Sequence, residues 1–352
     1  MVTESIGRAE PGDANILTIF ATPKPFEGHI DVIQRNAIRS WQHLHPDVEI
    51  ILVGDDQGTA EVCQELGVKH IKHVRRNEYG TKYLASVYYQ AQEIARHRIL
   101  CHVNCDIVLM SDFWRAVQLV SSLKDRFLVA GRRWDVEVDR AVDFEDPNWE
   151  AGLRRLAFDT NRQRPPQWID YFVFPKGLYS RGIPAFVIGR PGWDNWLLWY
   201  ALSVGAPIVD ASGAVVAVHQ NHDYSYHPDG EEGVWHGEEA QTNYKLHENQ
   251  YETLESASHV LHDGRLRRNR KRLLAKGARH LVAFIYSLWF GLLDVTRPIR
   301  RTLGLRSTRS LGRRAKRRFW QKLLVIGGLA ALILWWAWSV FSRGDVPAGR
   351  GY

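Results

Sequence analysis

The chain has 352 residues, with 46 Lys/Arg, 39 Asp/Glu and a formal charge of +7. That figure averages two unlike parts: residues 1–262 carry 25 basic and 36 acidic side chains, residues 263–352 carry 21 and three. An apolar fraction of 45% excludes global disorder. Three cysteines without C-x-x-C spacing (Cys63, Cys101, Cys105) exclude a disulfide framework and read as reduced thiols of a cytosolic body.

In chain order, residues 1–15 are polar, lack an apolar signal-peptide core and read as a flexible N-terminus. Ile16–Ala21 is an apolar strand that ends at Thr22-Pro23-Lys24-Pro25. His29–Leu44 has helical spacing, with Ile30, Ile33, Ala37, Ile38, Trp41 and Leu44 on one face. Strands over Glu49–Val53 and Lys69–Val74 enclose a helix over Thr59–Leu66. A helix over Lys82–Arg96 precedes a strand over Arg98–Met110 that runs into a turn. Asp112 is placed to cap a helix over Phe113–Leu123. Phe127–Ala130 is a further strand.

The second half is less regular. It reads as an extended excursion over Gly131–Asp146, then a helix over Trp149–Asn161. Strands follow over Ile169–Phe174 and Ala185–Ile188, then a helix over Trp193–Val204 and a strand over Ala214–His219. Strands alternating with helices predict an α/β body over residues 16–262, its mainly parallel sheet flanked by helices. Ligands of such sheets bind beyond the carboxyl ends of the strands. No G-x-G-x-x-G follows the first strand and no P-loop signature occurs, so dinucleotide and P-loop chemistry lose their main support.

The basic part reads as membrane-facing. Residues 263–322 form a basic, amphipathic segment in which Arg265–Arg279 interleaves cations with leucines and Leu281–Leu293 is a short apolar stretch of 13 residues. Leu323–Phe341 is 19 residues without a charge, roughly 28 Å as a helix and long enough to span a bilayer. Trp335, Trp336 and Trp338 lie toward its C-terminal end, as an interfacial belt requires. Eight Lys/Arg from Arg306 to Lys322 precede it, while Arg343 and Arg350 follow, in the short tail over residues 342–352. The positive-inside rule then puts the body in the cytoplasm, on a bacterial-type inner membrane, with anionic lipid rather than nucleic acid as partner of the basic run.

Three motifs bear chemistry. Val103–Met110 (VNCDIVLM) delivers Asn104 and Asp106 two residues apart at a strand end, an oxygen set suited to Mg²⁺ or Mn²⁺ beside a diphosphate. Gly189–Leu197 (GRPGWDNWL) presents Trp193 and Asp194 after a Gly/Pro turn. These would be an indole and a carboxylate for a sugar, or a helix cap. Val218–His227 (VHQNHDYSYH) ends a strand in His219, with His222, Asp223 and His227 near, and imidazole is suited to complete a metal site begun by Asp106. A zinc hydrolase would need a fixed pair such as H-E-x-x-H, which the chain lacks.

In this order, over roughly Ile16 to His227, the motifs resemble a GT-A fold glycosyltransferase of the nucleotide-diphospho-sugar transferase superfamily. The resemblance implies a nucleotide-sugar donor, a divalent metal (Mn²⁺ or Mg²⁺) and a glycan or lipid-linked acceptor. Asn104 and Asp106 match the D-x-D metal-diphosphate motif, with Asn in place of the first acid. His219 matches a further metal position beside Asp106. Thr22 and Asp55 match the strand ends that hold the nucleoside. Asp194 matches an acceptor-side base of inverting members. By its charge Lys82 suits the diphosphate, and Trp193, Tyr171 and Asp170 are candidates for the acceptor wall. Two alternatives stand beside this reading. A nucleotidyltransferase of similar fold would carry a Gly-rich basic first turn, and a membrane-anchored sugar-binding protein would keep the fold without turnover.

Overall fold

The computed structural model describes residues 17–224 and 227–269. The first half alternates regularly: β1 (Leu17–Ala21), α1 (Gly28–Gln42), β2 (Glu49–Val53), α2 (Thr59–Leu66), β3 (Lys69–Ile71), α3 (Leu84–Ile94) and β4 (Ile99–Val103). There follow β5 (Ile107–Val108), α4 (Ser111–Leu123), β6 (Leu128–Val136), α5 (Trp149–Thr160), β7 (Ile169–Pro175) and α6 (Trp193–Ser203). The chain continues as β8 (Ile208–Gly213), β9 (Ala217–Gln220), α7 (Gly230–His236), α8 (Glu238–His247), β10 (His259–His262) and β11 (Arg265–Arg268).

The main sheet has the order β11-β10-β8-β6-β7-β4-β1-β2-β3. β4, β1, β2 and β3 are parallel, and β7 runs antiparallel between β4 and β6. Successive side chains point to opposite faces of a strand, and the core follows that rule. Leu17, Ile19, Ile50, Leu52, Ile99 and Cys101 pack under α1, α2 and α4. Phe20, Ile51, Val53 and Leu100 pack under α3 and α6. Both faces are covered, which is why these strands read as unbroken apolar runs. The mixed α/β sheet flanked by helices fits the expected GT-A-like class.

β6 shifts register after Ala130 and leaves the main sheet after Arg132, which still pairs with Ile169 of β7. Its distal half, Arg133–Val136, pairs with β9, which pairs in turn with β5. This small side sheet absorbs the start of the predicted excursion at Gly131. Residues 185–188 are not a strand but make a single bridge, Tyr83 to Val187. α3 starts at Leu84, so Lys82 precedes the helix. Asp112 lies inside α4 rather than at its cap: it is ion-paired with Arg154 and accepts the Val216 amide at 2.9 Å.

The sheet also runs past residue 262. Asp263 and Gly264, with φ of 48° and 63°, form a two-residue turn between His262 and Arg265, which face each other across the β10–β11 hairpin. Asp-Gly is the sequence such a turn favours. The first residues of the basic run, Arg265–Arg268, are therefore an edge strand of the body. Their charges suit an edge that must not pair with another chain. Among the described residues no helix is long and apolar enough to cross a membrane. The expected span at Leu323–Phe341, the stretch Leu281–Leu293, the basic residues from Arg270 onward, the C-terminal tail and the N-terminal 1–15 lie outside the described residues.

Candidate functional site

The parallel strands β1, β2 and β4 end at one edge of the sheet, and β7 begins there. A cleft of about 1460 Å³ opens along that edge, lined among others by Thr22, Lys24, Asp56, Lys82, Asn104, Asp106, Asp170, Asp194 and His219. Strand ends leave the ladder there, so side chains rather than backbone partners fill the space.

At one pole lies a metal-type cluster. Ligand atoms of Asp106, His219 and His222 lie within 4.8 Å of one another. The backbone fixes two of them in place. His219 pairs with Ile107 of β5 on one side and with Asp135 of β6 on the other. The Asp106 carbonyl accepts the Gln220 amide at 3.1 Å. Asp106 Oδ2 lies 3.2 Å from His222 Nε2 and 3.4 Å from Lys24 Nζ. Its Oδ1 is buried without a hydrogen-bond partner. Burial alone would raise the Asp106 pKa, but Lys24, His222 and His219 outweigh it and hold the carboxyl well below the usual range. A carboxylate kept ionised, two imidazoles and an orphaned carboxylate oxygen fit a divalent cation. Asn104 does not join this cluster. The chain turns at Asn104, whose carbonyl accepts the Ile107 amide at 3.1 Å, so the two side chains are not on one side of an extended strand. Asn104 instead donates to Asp170 Oδ1 at 2.6 Å.

At the other pole lies Asp194. Gly192, with φ of 101°, holds the N-cap position of α6 and puts Asp194 in the first turn. A Cβ on Gly192 would come within 2.8 Å of the His247 ring, so glycine is required twice over. Asp194 lines the cleft, yet its Oδ1 is sealed without a partner. Burial and, after it, the nearby Asp170 charge push its pKa up to about 7, against the pull of backbone amides at the helix start. A carboxyl poised there is suited to take a proton at neutral pH.

Between the poles, Arg133 bonds Asp170 Oδ2 at 2.8 Å and Asp135 Oδ1 at 3.0 Å. Burial opposes the Arg133 charge, but the two acids outweigh it and raise its pKa. Its guanidinium stacks 5.0 Å from the Trp168 ring, whose neighbour is Trp235 of α7 at 5.1 Å. Trp168, Trp235, Tyr244 and Tyr251 line the cleft, and the two tyrosines lie near enough to Asp194 to feel its charge.

Other expected site residues are placed differently. Asp55 is turned outward, its side chain 49% exposed and paired with Arg76 at 2.5 Å. Asp56, at 16%, lines the cleft instead. Lys82 lines the cleft but is buried: its ammonium is ion-paired with Asp56 and donates to the Pro23 carbonyl at 2.9 Å. Thr22 lines the cleft at the end of β1. Tyr171 does not line the cleft. It is 1% exposed, points to the opposite face of β7 from Asp170 and packs edge-on to Phe113. Trp193 lines the cleft, but only 5% of it is exposed and its indole packs on His102 and Phe172.

Lys24, Arg133, Trp168, Trp235 and Glu239 also line the cleft and were not singled out from sequence. Glu239 accepts from Arg190 and from Asn77 Nδ2, at 2.5 and 2.6 Å, which ties α8 to the loop before α3. The Pro-flanked Lys24 at the first strand end was the one legible signal among them.

No family model and no curated protein matches the chain. Solved structures do. TarS 1–349 of S. aureus is 10% identical, covering 58% of this chain and 60% of that one at a TM-score of 0.41. It has also been solved with UDP-GlcNAc. Glucosyl-3-phosphoglycerate synthase from Mycobacterium tuberculosis, with Mn²⁺, UDP and phosphoglyceric acid, is 14% identical over 59% of this chain and 72% of that one, at 0.35. Mannosyltransferase PcManGT from Pyrobaculum calidifontis, with GDP-Man and Mn²⁺, is 15% identical over 62% and 60%, at 0.39. The chain thus spans about 60% of the length of TarS 1–349 and of PcManGT. It is similar to these proteins, and at TM-scores below 0.5 no residue role is carried across from them.

Proposed function

We propose that this chain is a nucleotide-sugar-dependent glycosyltransferase that uses a divalent metal and inverts the transferred sugar. The observation that carries the reading is the pairing, in one strand-end cleft, of an ionised carboxylate among imidazoles with a second carboxyl whose pKa stands near 7. Two carboxyls pushed apart in this way mark separate tasks.

Asp106, His219 and His222 would hold Mn²⁺ or Mg²⁺, which when bound neutralises charge on a leaving diphosphate. The Asp194 carboxylate accepts the proton of the acceptor hydroxyl as that oxygen attacks the anomeric carbon and the diphosphate leaves. Asp170, held between Asn104 and Arg133, keeps its charge close to Asp194 and sustains the basicity of that carboxyl. Trp235, beside Trp168, supplies a flat apolar ring of the kind sugars stack on, which supports a glycan acceptor. The first turn, Thr22-Pro23-Lys24-Pro25, lacks the Gly-rich basic signature of a nucleotidyltransferase.

We further propose that residues 270–352 tether the body to the cytoplasmic face of a membrane, near a lipid-linked or envelope glycan. The support is sequence alone: a charge-free stretch of 19 residues behind eight Lys/Arg. The full-length protein should stay in the membrane pellet after carbonate washing, and release into the supernatant would refute the tether.

The catalytic reading is tested by thermal shift of the full chain with UDP- and GDP-sugars, with and without Mn²⁺. A donor should raise the melting temperature more when Mn²⁺ is present. Diphosphate release from a nucleoside triphosphate, with no response to any nucleotide sugar, would favour the nucleotidyltransferase instead.

A further inference from the structure

Lys24 stands at the metal-type cluster. Its Nζ lies 2.8 Å from His222 Nε2 and 3.4 Å from Asp106 Oδ2, two of the three candidate ligands. The placement is built rather than incidental. Pro23 and Pro25 flank it and narrow the backbone's freedom. The buried Gln34 side chain then clamps the Lys24 backbone from both sides, accepting its N–H at 2.7 Å and donating to its carbonyl at 2.9 Å. With the root held, the side-chain torsions remain as the means of movement.

His222 Nδ1 faces the Asp223 carbonyl at 2.7 Å, so Nε2 is the ring nitrogen turned to the cluster, 2.8 Å from Lys24 Nζ and 3.2 Å from Asp106 Oδ2. A metal ion ligated by Nε2 would need the place that the ammonium now holds. An ammonium and a divalent ion on one carboxylate also repel each other, the more strongly in a site partly removed from water.

We propose that Lys24 is the resident cation of the Asp106–His219–His222 cluster. A divalent ion binds as the ammonium swings away, and a diphosphate gives that ammonium its new anionic partner. The last clause rests on the nucleotide-sugar reading above; the first two do not. Lys24 is then a positioning residue that couples metal binding to donor binding, so that each favours the other.

Mn²⁺ binding to the full-length protein, followed by calorimetry and by the EPR signal of free Mn²⁺, tests this in wild type and Lys24→Met. The variant keeps the stem and removes the charge. With Mn²⁺ alone it should bind about tenfold more tightly than wild type, a size usual for coupled sites. Affinities within twofold of each other, weaker binding by the variant, or no Mn²⁺ binding by either protein would overturn the proposal. With UDP or GDP present, wild-type affinity for Mn²⁺ should rise by about the same factor and the variant's should rise less. A tenfold gain in the variant alone, with no response to either nucleotide, would keep the resident cation and sink the nucleoside-diphosphate reading. Lys24→Gln, a smaller neutral change, gives the same readout if the methionine variant does not fold.

Discussion

Asp106 and Asp194 are both carboxyls set into the wall of one cleft, and their surroundings push them in opposite directions. Asp106 is ringed by Lys24, His219 and His222 and stays ionised. Asp194 meets a helix start, an apolar wall and the neighbouring Asp170 charge, and its pKa stands near 7. Burial works against the charged form at both sites, so the difference comes from what is buried with each. Cations around one keep it ionised and suit it to bind a metal, and their absence suits the other to take a proton.

The strongest way to break the contrast is to remove the first carboxylate. Asp106→Ala leaves two histidines facing Lys24, and should abolish Mn²⁺ binding and lower turnover by about 10³-fold, as measured by calorimetry and diphosphate release. Asp194→Asn should cost on the order of 10²–10⁴-fold in kcat while Mn²⁺ and donor affinity stay at wild-type values. That split is what two separate poles require.

The contrast is sharpened by pH. Because the base works deprotonated, kcat/KM should rise about tenfold per pH unit below about pH 7 and level off above it, and Asp194→Asn should lose this limb. Stability should move the other way. The folded-state pKa of Asp194 is raised above its unfolded value. The stability it contributes is therefore complete below the unfolded pKa near 3.8 and is lost as pH rises through about 7. Asp194→Asn should accordingly melt higher than wild type at pH 8, by on the order of 2 kcal/mol, and no higher at pH 4. A smaller effect is expected at the proposed acceptor wall. Trp235→Ala should raise the acceptor KM by about fivefold, close to 1 kcal/mol, and leave the donor KM unchanged.

What was legible in the sequence follows from how each residue is held. The strands β1, β2 and β4 are buried on both faces and read as apolar runs, so the sheet, its edge and Asp106 could be found. Asp194 was found because a Gly/Pro turn and an apolar helix frame it. The part of the cleft wall that α7 and α8 supply was not legible. α7 and α8 are short, Gly-punctuated and polar, and what joins them to the cleft are non-local bonds, such as Asn243 to Val187 and Glu239 to Arg190. The choice between neighbours also escaped: Asp55 or Asp56, and Asp170 or Tyr171, differ by one residue of register, which decides cleft, solvent or core. The boundary at residue 262 fell on the Asp263-Gly264 turn because the charge change there hid a hairpin signal.

The central claim is that one pole binds and the other reacts. Donor binding to Asp106→Ala and Asp194→Asn, measured side by side by calorimetry with Mn²⁺ and a nucleotide sugar that shifts the wild-type melting temperature, tests it most directly. Asp194→Asn should bind that donor as wild type does and fail to turn it over, while Asp106→Ala should not bind it. Intact donor binding in Asp106→Ala, or its loss in Asp194→Asn, would contradict the account.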